Sequence, residues 1–181
     1  MKPDSFRNAP ADTVALTAEQ AAFIQGAVSI VAATTGAGMA NHLSKVFGCR
    51  VDADGRSITI ILSALQAGAV LADLRANRRL AVAFCRPTTD QTLQIKTFDA
   101  GVVALVRDDY CMLAEYTTQL IAELGPIGFP DAIIRPLFTC SPSDAVAVRF
   151  SPSAVFDQTP GPNAGARLAG SQAAPRAAGA N

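Results

Sequence analysis

The sequence predicts a mainly β, α+β domain: an antiparallel, Greek-key-like barrel with helices on its flanks. Three observations predict it. Short apolar, β-branched runs follow one another with turn signals between them, without the strand–helix alternation of a parallel sheet. Asp52-Ala53-Asp54-Gly55 is a hairpin turn in which Gly55 supplies positive φ. The run Ile58 to Ser63 is apolar enough to be buried on both faces, and closing the sheet removes exposed edges.

The elements follow in order. Residues 1–15 read as a loose arm. Thr17-Ala18-Glu19-Gln20 has the form of a capping box and starts a helix that Gly26 is placed to end. Ala27 to Thr34 is a strand, Thr35-Gly36-Ala37-Gly38 a turn, and Met39 to Val51 a long second strand. Period two puts His42, Ser44, Val46 and Arg50 on one face of that strand. Leu43, Lys45, Phe47 and Cys49 fall on the other, unless a bulge shifts the phase.

Ile58 to Ser63 is the third strand. Gln66 to Ala76 is a short helix with Asn77 as its stop, and Leu80 to Cys85 a fourth strand. Thr92 to Val106 is long for one strand and predicts a bulge near Asp99 to Gly101. Asp108 or Asp109 caps a helix whose apolar face carries Tyr110, Leu113, Thr117, Leu120, Ile121 and Leu124, ended by Gly125-Pro126. Residues 131–138 form a short helix interrupted by Pro136, and Ala145 to Phe150 is the last main strand. From 160 to 181 the chain turns to alanine, glycine and polar residues. It has too little apolar surface to offset its ordering entropy and reads as a disordered tail, leaving 16–159 as the folded domain.

Composition excludes several classes. Lysine and arginine (15) balance aspartate and glutamate (15), so the whole-chain charge draws the protein to neither nucleic acid nor an anionic membrane. The apolar run Ser57 to Ala72 is shorter than a spanning helix and is broken by Ser63 and Gln66. The polar N-terminus has no apolar signal segment, which makes the cytoplasm the expected location. Four widely spaced cysteines without a C-x-x-C pattern read as buried reduced thiols. The lone histidine, His42, cannot build a multi-histidine zinc site, so no metal centre is expected.

Several segments carry a resemblance. They are Gly48-Cys49-Arg50-Val51-Asp52-Ala53-Asp54-Gly55 leading into a buried strand, and Leu71-Ala72-Asp73-Leu74-Arg75-Ala76-Asn77 before Leu80-Ala81-Val82-Ala83-Phe84. Thr92-Leu93-Gln94-Ile95-Lys96 follows. In this order and spacing, over roughly Thr17 to Phe150, the chain resembles the pyridoxamine 5'-phosphate oxidase-like, FMN-binding split-barrel family. The resemblance implies a split β-barrel, a homodimer and FMN in a cleft between the subunits. Its members include oxidases, reductases, haem-handling proteins and proteins of no assigned chemistry.

The resemblance implies cofactor-facing roles for His42, Ser44, Lys45, Ser63, Gln66, Gln94 and Lys96. It also meets two departures. Where flavin-binding members carry a cationic run that grips the phosphate, this chain has Gly68-Ala69-Val70, and the glycine after the Gln-containing strand is Thr97. Lys45, Arg50 and Lys96 are the replacement cations, Lys45 first, and the helix N-terminus near Gln66 to Gly68 offers N–H groups to an anion. His42 reads as a structural residue, a flavin contact or a single haem ligand; Ser63 and Gln66 as helix caps or cofactor contacts. Two functions remain open. One is an FMN-dependent oxidoreductase acting on a small-molecule substrate. The other is a ligand-binding module for haem or another small molecule.

Overall fold

Nine strands pair into one antiparallel sheet in the order β6-β7-β3-β2-β1-β4-β5-β8-β9, in a computed structural model that describes residues 13–170. The strands are β1 (Ser29–Thr35), β2 (Asn41–Val51), β3 (Ile58–Ser63), β4 (Leu80–Cys85), β5 (Thr92–Thr97), β6 (Gly101–Val103), β7 (Ala145–Phe150), β8 (Ala154–Asp157) and β9 (Arg167–Ala169). Four α-helices accompany them among the described residues: α1 (Ala18–Ile24), α2 (Gly68–Asn77), α3 (Arg107–Leu124) and α4 (Asp131–Phe138). The expected antiparallel split barrel with flanking helices is the architecture observed.

Two bent strands close it. β5 pairs with β4 and β8, whereas β6, three residues further on, pairs with β7 at the other end of the strand order. Four residue steps span at most about 14 Å, so the two ends of the sheet must meet. The β7–β8 connection bends at the same place, over 151–153. Asp99 fixes this double bend: its carboxylate accepts from the Thr97 hydroxyl (2.6 Å) and the Ser151 N–H (2.9 Å). The bulge expected near Asp99 to Gly101 is therefore a full break, because the chain changes partners there.

The main core fills the barrel with alternate residues of each strand, among them Ile30, Ala32, Val46, Ile60, Leu62, Val82, Phe84 and Ile95, all at most 1% exposed. A second cluster of Phe47, Ile61, Leu113, Cys140 and Ala147 packs α3 on the outside of β2, β3 and β7. Between Val46 and Cys49 the β2–β3 register shifts, and Gly48 adopts φ 148°. This bulge turns Cys49 inward with Val46 and moves Arg50 off the His42 face, the phase change that strict alternation misses.

The Thr17–Gln20 capping box forms as expected, each residue accepting the other's backbone N–H. On α3 the cap differs. Val106 is the N-cap, and Asp109, three residues in, reaches back to accept its N–H at 2.9 Å. The inner tyrosine of α3 is Tyr116, which donates to Val28 O, whereas Tyr110 is exposed. Of the cysteines, Cys49 and Cys140 are buried, Cys85 is half-buried and Cys111 exposed, so burial holds for two of the four.

The N-terminal arm lies outside the described residues up to 12, but Val14 N–H donates to Pro152 O and Leu16 N–H to Gly55 O. The tail expectation is corrected over 160–170. Arg167–Ala169 pairs with β8 as β9, through backbone bonds that do not depend on buried side chains. Residues 171–181 lie outside the described residues. No described helix is long and apolar enough to cross a membrane.

Candidate functional site

Strand register sorts the sequence candidates onto two surfaces. Gln94 sits opposite Ala83, Ala83 opposite Val31, and Val31 opposite Lys45. The next row on the same face runs Lys96, Ala81, Ala33, Leu43. Directly opposed residues share a face, so Lys45, Gln94 and Lys96 lie on the outer surface of β2-β1-β4-β5. His42 and Ser44 belong to the opposite, barrel-side face, where Ser44 is buried beside Ala32.

The outer surface is a platform of small side chains. Val31 is 36% exposed and Leu43 67% exposed, and Ala33, Ala81 and Ala83 are half-buried. Three strand spacings separate Lys45 from Gln94, about 14 Å. One border is polar. Gln158 Nε2 approaches Gln94 Oε1 at 3.4 Å, and Lys96 Nζ lies 4.8 Å from the centre of the Phe156 ring. Arg167 lies at 4.8 Å from the same ring. Phe156 and Arg167 are thus part of this border. They escape a sequence reading because β8 and β9 join the site only through pairing.

Lys45, the first choice of anchor, is otherwise engaged. Its Nζ donates to Leu137 O at 2.9 Å and stands 4.3 Å over the Phe138 ring, at the C-terminal end of α4. Partial burial there lowers its pKa. Arg50, a second candidate cation, is bound to Asp52 and Asp109. Lys96 therefore remains an exposed cation of the platform, standing over the Phe156 ring.

Ser63 and Gln66 form one turn between β3 and α2. The Ser63 hydroxyl donates to the Asp144 carboxylate and accepts the Gln66 N–H at 3.2 Å. Asp144 also accepts Leu65 N–H at 2.9 Å, tying the turn to the start of β7. Ser63 is used locally through its side chain and Gln66 through its backbone N–H. The helix they introduce has Ala67 as its N-cap and no side-chain cap, so the first N–H groups of α2 are free to meet an anion.

His42 has a built environment that the sequence hides. Its Nδ1 lies 2.7 Å from Asp73 Oδ2, and Thr34 Oγ1 donates to that same oxygen at 2.6 Å. The three come from β2, α2 and β1. The Thr34 hydroxyl first, then His42, hold the Asp73 carboxyl below the usual aspartate range. An ionised carboxylate only accepts, so His42 donates through Nδ1–H, and a neutral ring keeps its lone pair on Nε2. Gly36 completes the arrangement: a Cβ there would stand 2.5 Å from Asp73 Oδ1.

Comparison with known proteins comes from structures alone, since no family model and no curated protein matches the chain. Solved structures similar to it include HupZ from Group A Streptococcus, 16% identical over 83% of this chain and 99% of that one, with a TM-score of 0.49. They include a protein related to general stress protein 26, described as of the pyridoxinephosphate oxidase family, from Clostridium acetobutylicum: 15% identity, 71% and 78% coverage, TM-score 0.42. A pyridoxamine 5'-phosphate oxidase-related, FMN binding protein from Nostoc punctiforme is 14% identical over 77% and 76%, with a TM-score of 0.39.

Proposed function

We propose that this protein is an FMN-binding oxidoreductase of the split-barrel type, which holds the flavin against the outer face of β2-β1-β4-β5 beneath a second copy of the chain. The observation that carries the reading is the platform itself. Val31, Ala33, Ala81 and Ala83 leave a flat apolar surface, with the Gln94 amide and the Lys96 ammonium on one border. A planar ring system suits such a surface, because small side chains let it approach the sheet closely while border groups fix its orientation. The resemblance of the Thr92-Leu93-Gln94-Ile95-Lys96 segment supports the same placement.

The residues fit the group by chemistry. Gln94 offers both a donor and an acceptor to the edge of a heteroaromatic ring. Lys96 offers a cation, and the uncapped start of α2 offers backbone N–H groups where Gly68-Ala69-Val70 supplies no side-chain donor. When bound, the flavin supplies the redox chemistry. The chain's part is to orient the ring through Gln94, balance negative charge through Lys96, and keep water from the apolar side of the ring. Covering that side needs a partner surface, which makes a homodimer part of the proposal.

Calorimetric titration of the purified chain with FMN and riboflavin tests the reading. FMN is expected to bind, and Lys96→Ala to weaken it about tenfold to a hundredfold, the equivalent of one charge-assisted hydrogen bond. Gln94→Leu is expected to weaken FMN and riboflavin alike, since it touches the ring common to both. Absence of FMN binding at high micromolar concentration would sink the oxidoreductase reading and leave a binding module for another small molecule.

A further inference from the structure

We propose that the cleft between the C-terminal end of α2 and the β6–β7 edge binds a small phosphate-bearing molecule, at a site separate from the platform. The cleft measures about 630 Å³, within the range of small-molecule sites. Its charged lining is Arg75, Arg78 and Arg149 against a single carboxylate, Asp99. That carboxylate is already bound by Thr97 and Ser151 at the bend of the barrel.

The three arginines are not equivalent. Arg149 is paired with Asp52. Arg78 donates through Nη2 to the backbone oxygen of Asp99 at 2.8 Å, which orients the guanidinium beside the one carboxylate of the cleft and leaves its remaining N–H groups open. Arg75, in the last turn of α2, is exposed and has no hydrogen bond or ion pair among the described residues. Arg75 and Arg78 on one wall set two guanidinium forks against the single Asp99 carboxylate, and the net positive charge matches a phosphate, which carries close to two negative charges and several acceptor oxygens. The exposed Val102 and Val103 of β6 line the same cleft and offer apolar contact to the rest of such a ligand.

The backbone fixes where Arg78 stands. Arg78 is the C-cap of α2 with φ 59° and ψ 12°, a left-handed conformation in which glycine is unstrained and an arginine is not. Its N–H donates to Leu74 O and its carbonyl accepts from Ala100 N–H, each at 3.0 Å, so the conformation is imposed from both sides. The left-handed cap holds Arg78 at the rim of the cleft, where its guanidinium is fixed by Asp99 O.

Titration of the full chain with phenyl phosphate, followed by amide chemical shifts at low ionic strength, tests the proposal. Saturable shifts are expected at Gly101, Val102 and Ser151, with weaker binding of inorganic phosphate. Arg78→Gly is expected to keep or raise the melting temperature while weakening phenyl phosphate at least tenfold. Arg75→Glu should abolish binding, and Lys96→Ala should leave it unchanged, which separates this site from the platform. No saturable shift in the cleft overturns the proposal. So does undiminished binding by Arg78→Gly, or a loss that follows Lys96 instead of Arg75.

Discussion

Asp73 shows how much one buried carboxylate can organise. It is 8% exposed, yet accepts from Thr34 and lies 2.7 Å from His42 Nδ1, and Gly36 leaves it room. Its carboxyl is held below the ordinary aspartate value of 3.8 by the Thr34 hydroxyl first and by His42 after it. A folded pKa below the unfolded one contributes stability that is complete above 3.8 and is lost as pH falls through the folded value. Wild-type urea midpoints are therefore expected to drop more steeply between about pH 5 and pH 3 than those of Asp73→Asn, which carries no charge to titrate. Equal slopes for the two proteins would show that the Thr34 and His42 contacts do not favour the ionised form.

At the scale of elements, the polar ties between segments set where the barrel can loosen. Asp99 joins the two bent strands, Asp144 joins the β3–α2 turn to β7, and Lys45 fastens the end of α4 to β2. The Lys45 tie combines a hydrogen bond to Leu137 O with a cation over the Phe138 ring at 4.3 Å. Lys45→Ala removes both, at about 1 kcal/mol for a partly exposed pair. Amide hydrogen exchange over Asp131–Phe138 is expected to quicken by about fivefold while exchange in β3 stays the same. FMN affinity should change by less than a factor of about three, since the ammonium already serves the helix end. A tenfold loss of FMN with unchanged exchange in α4 would return Lys45 to the role of phosphate anchor.

At the scale of the molecule, the two halves of the sheet are treated unequally. The outside of β2, β3 and β7 is covered by α3 through Phe47, Ile61 and Leu113. The outside of β2, β1, β4 and β5 carries Val31, Ala33, Ala81, Ala83 and the exposed Leu43, and the C-terminal end of α4 reaches it at Lys45. An apolar sheet face of this kind is expected to pair with a second copy. Light scattering should then give about twice 18.7 kDa at micromolar concentration for the wild type. Ala83→Glu, which sets a carboxylate in the middle of the platform, should give a folded monomer of about 18.7 kDa. A wild-type monomer would remove the dimer from the functional reading, and FMN would then need a cover from this chain alone.

The sequence by itself determined the local grammar of this fold. The Thr17–Gln20 box, the Asp52–Gly55 turn, the Gly125-Pro126 stop and the strand Ala145–Phe150 are each set by residues within a few positions of one another, and each appears where the pattern puts it. Gln94 and Lys96 sharing a face was also legible, because period two needs only one regular strand. The bulge at Gly48, the partner change at Asp99 and the pairing of β9 were decided by tertiary structure, since each depends on which distant strand supplies the hydrogen bonds. The candidate sites divide in the same way. Residue types named Lys45 as a free cation, but a helix end 92 residues away occupies it. Nothing local marks Asp73, Thr34 and His42 as a group, or brings Arg75, Arg78 and Arg149 to one cleft. A side chain's chemistry is written in its own position, whereas its partner and its desolvation are set only when the barrel closes.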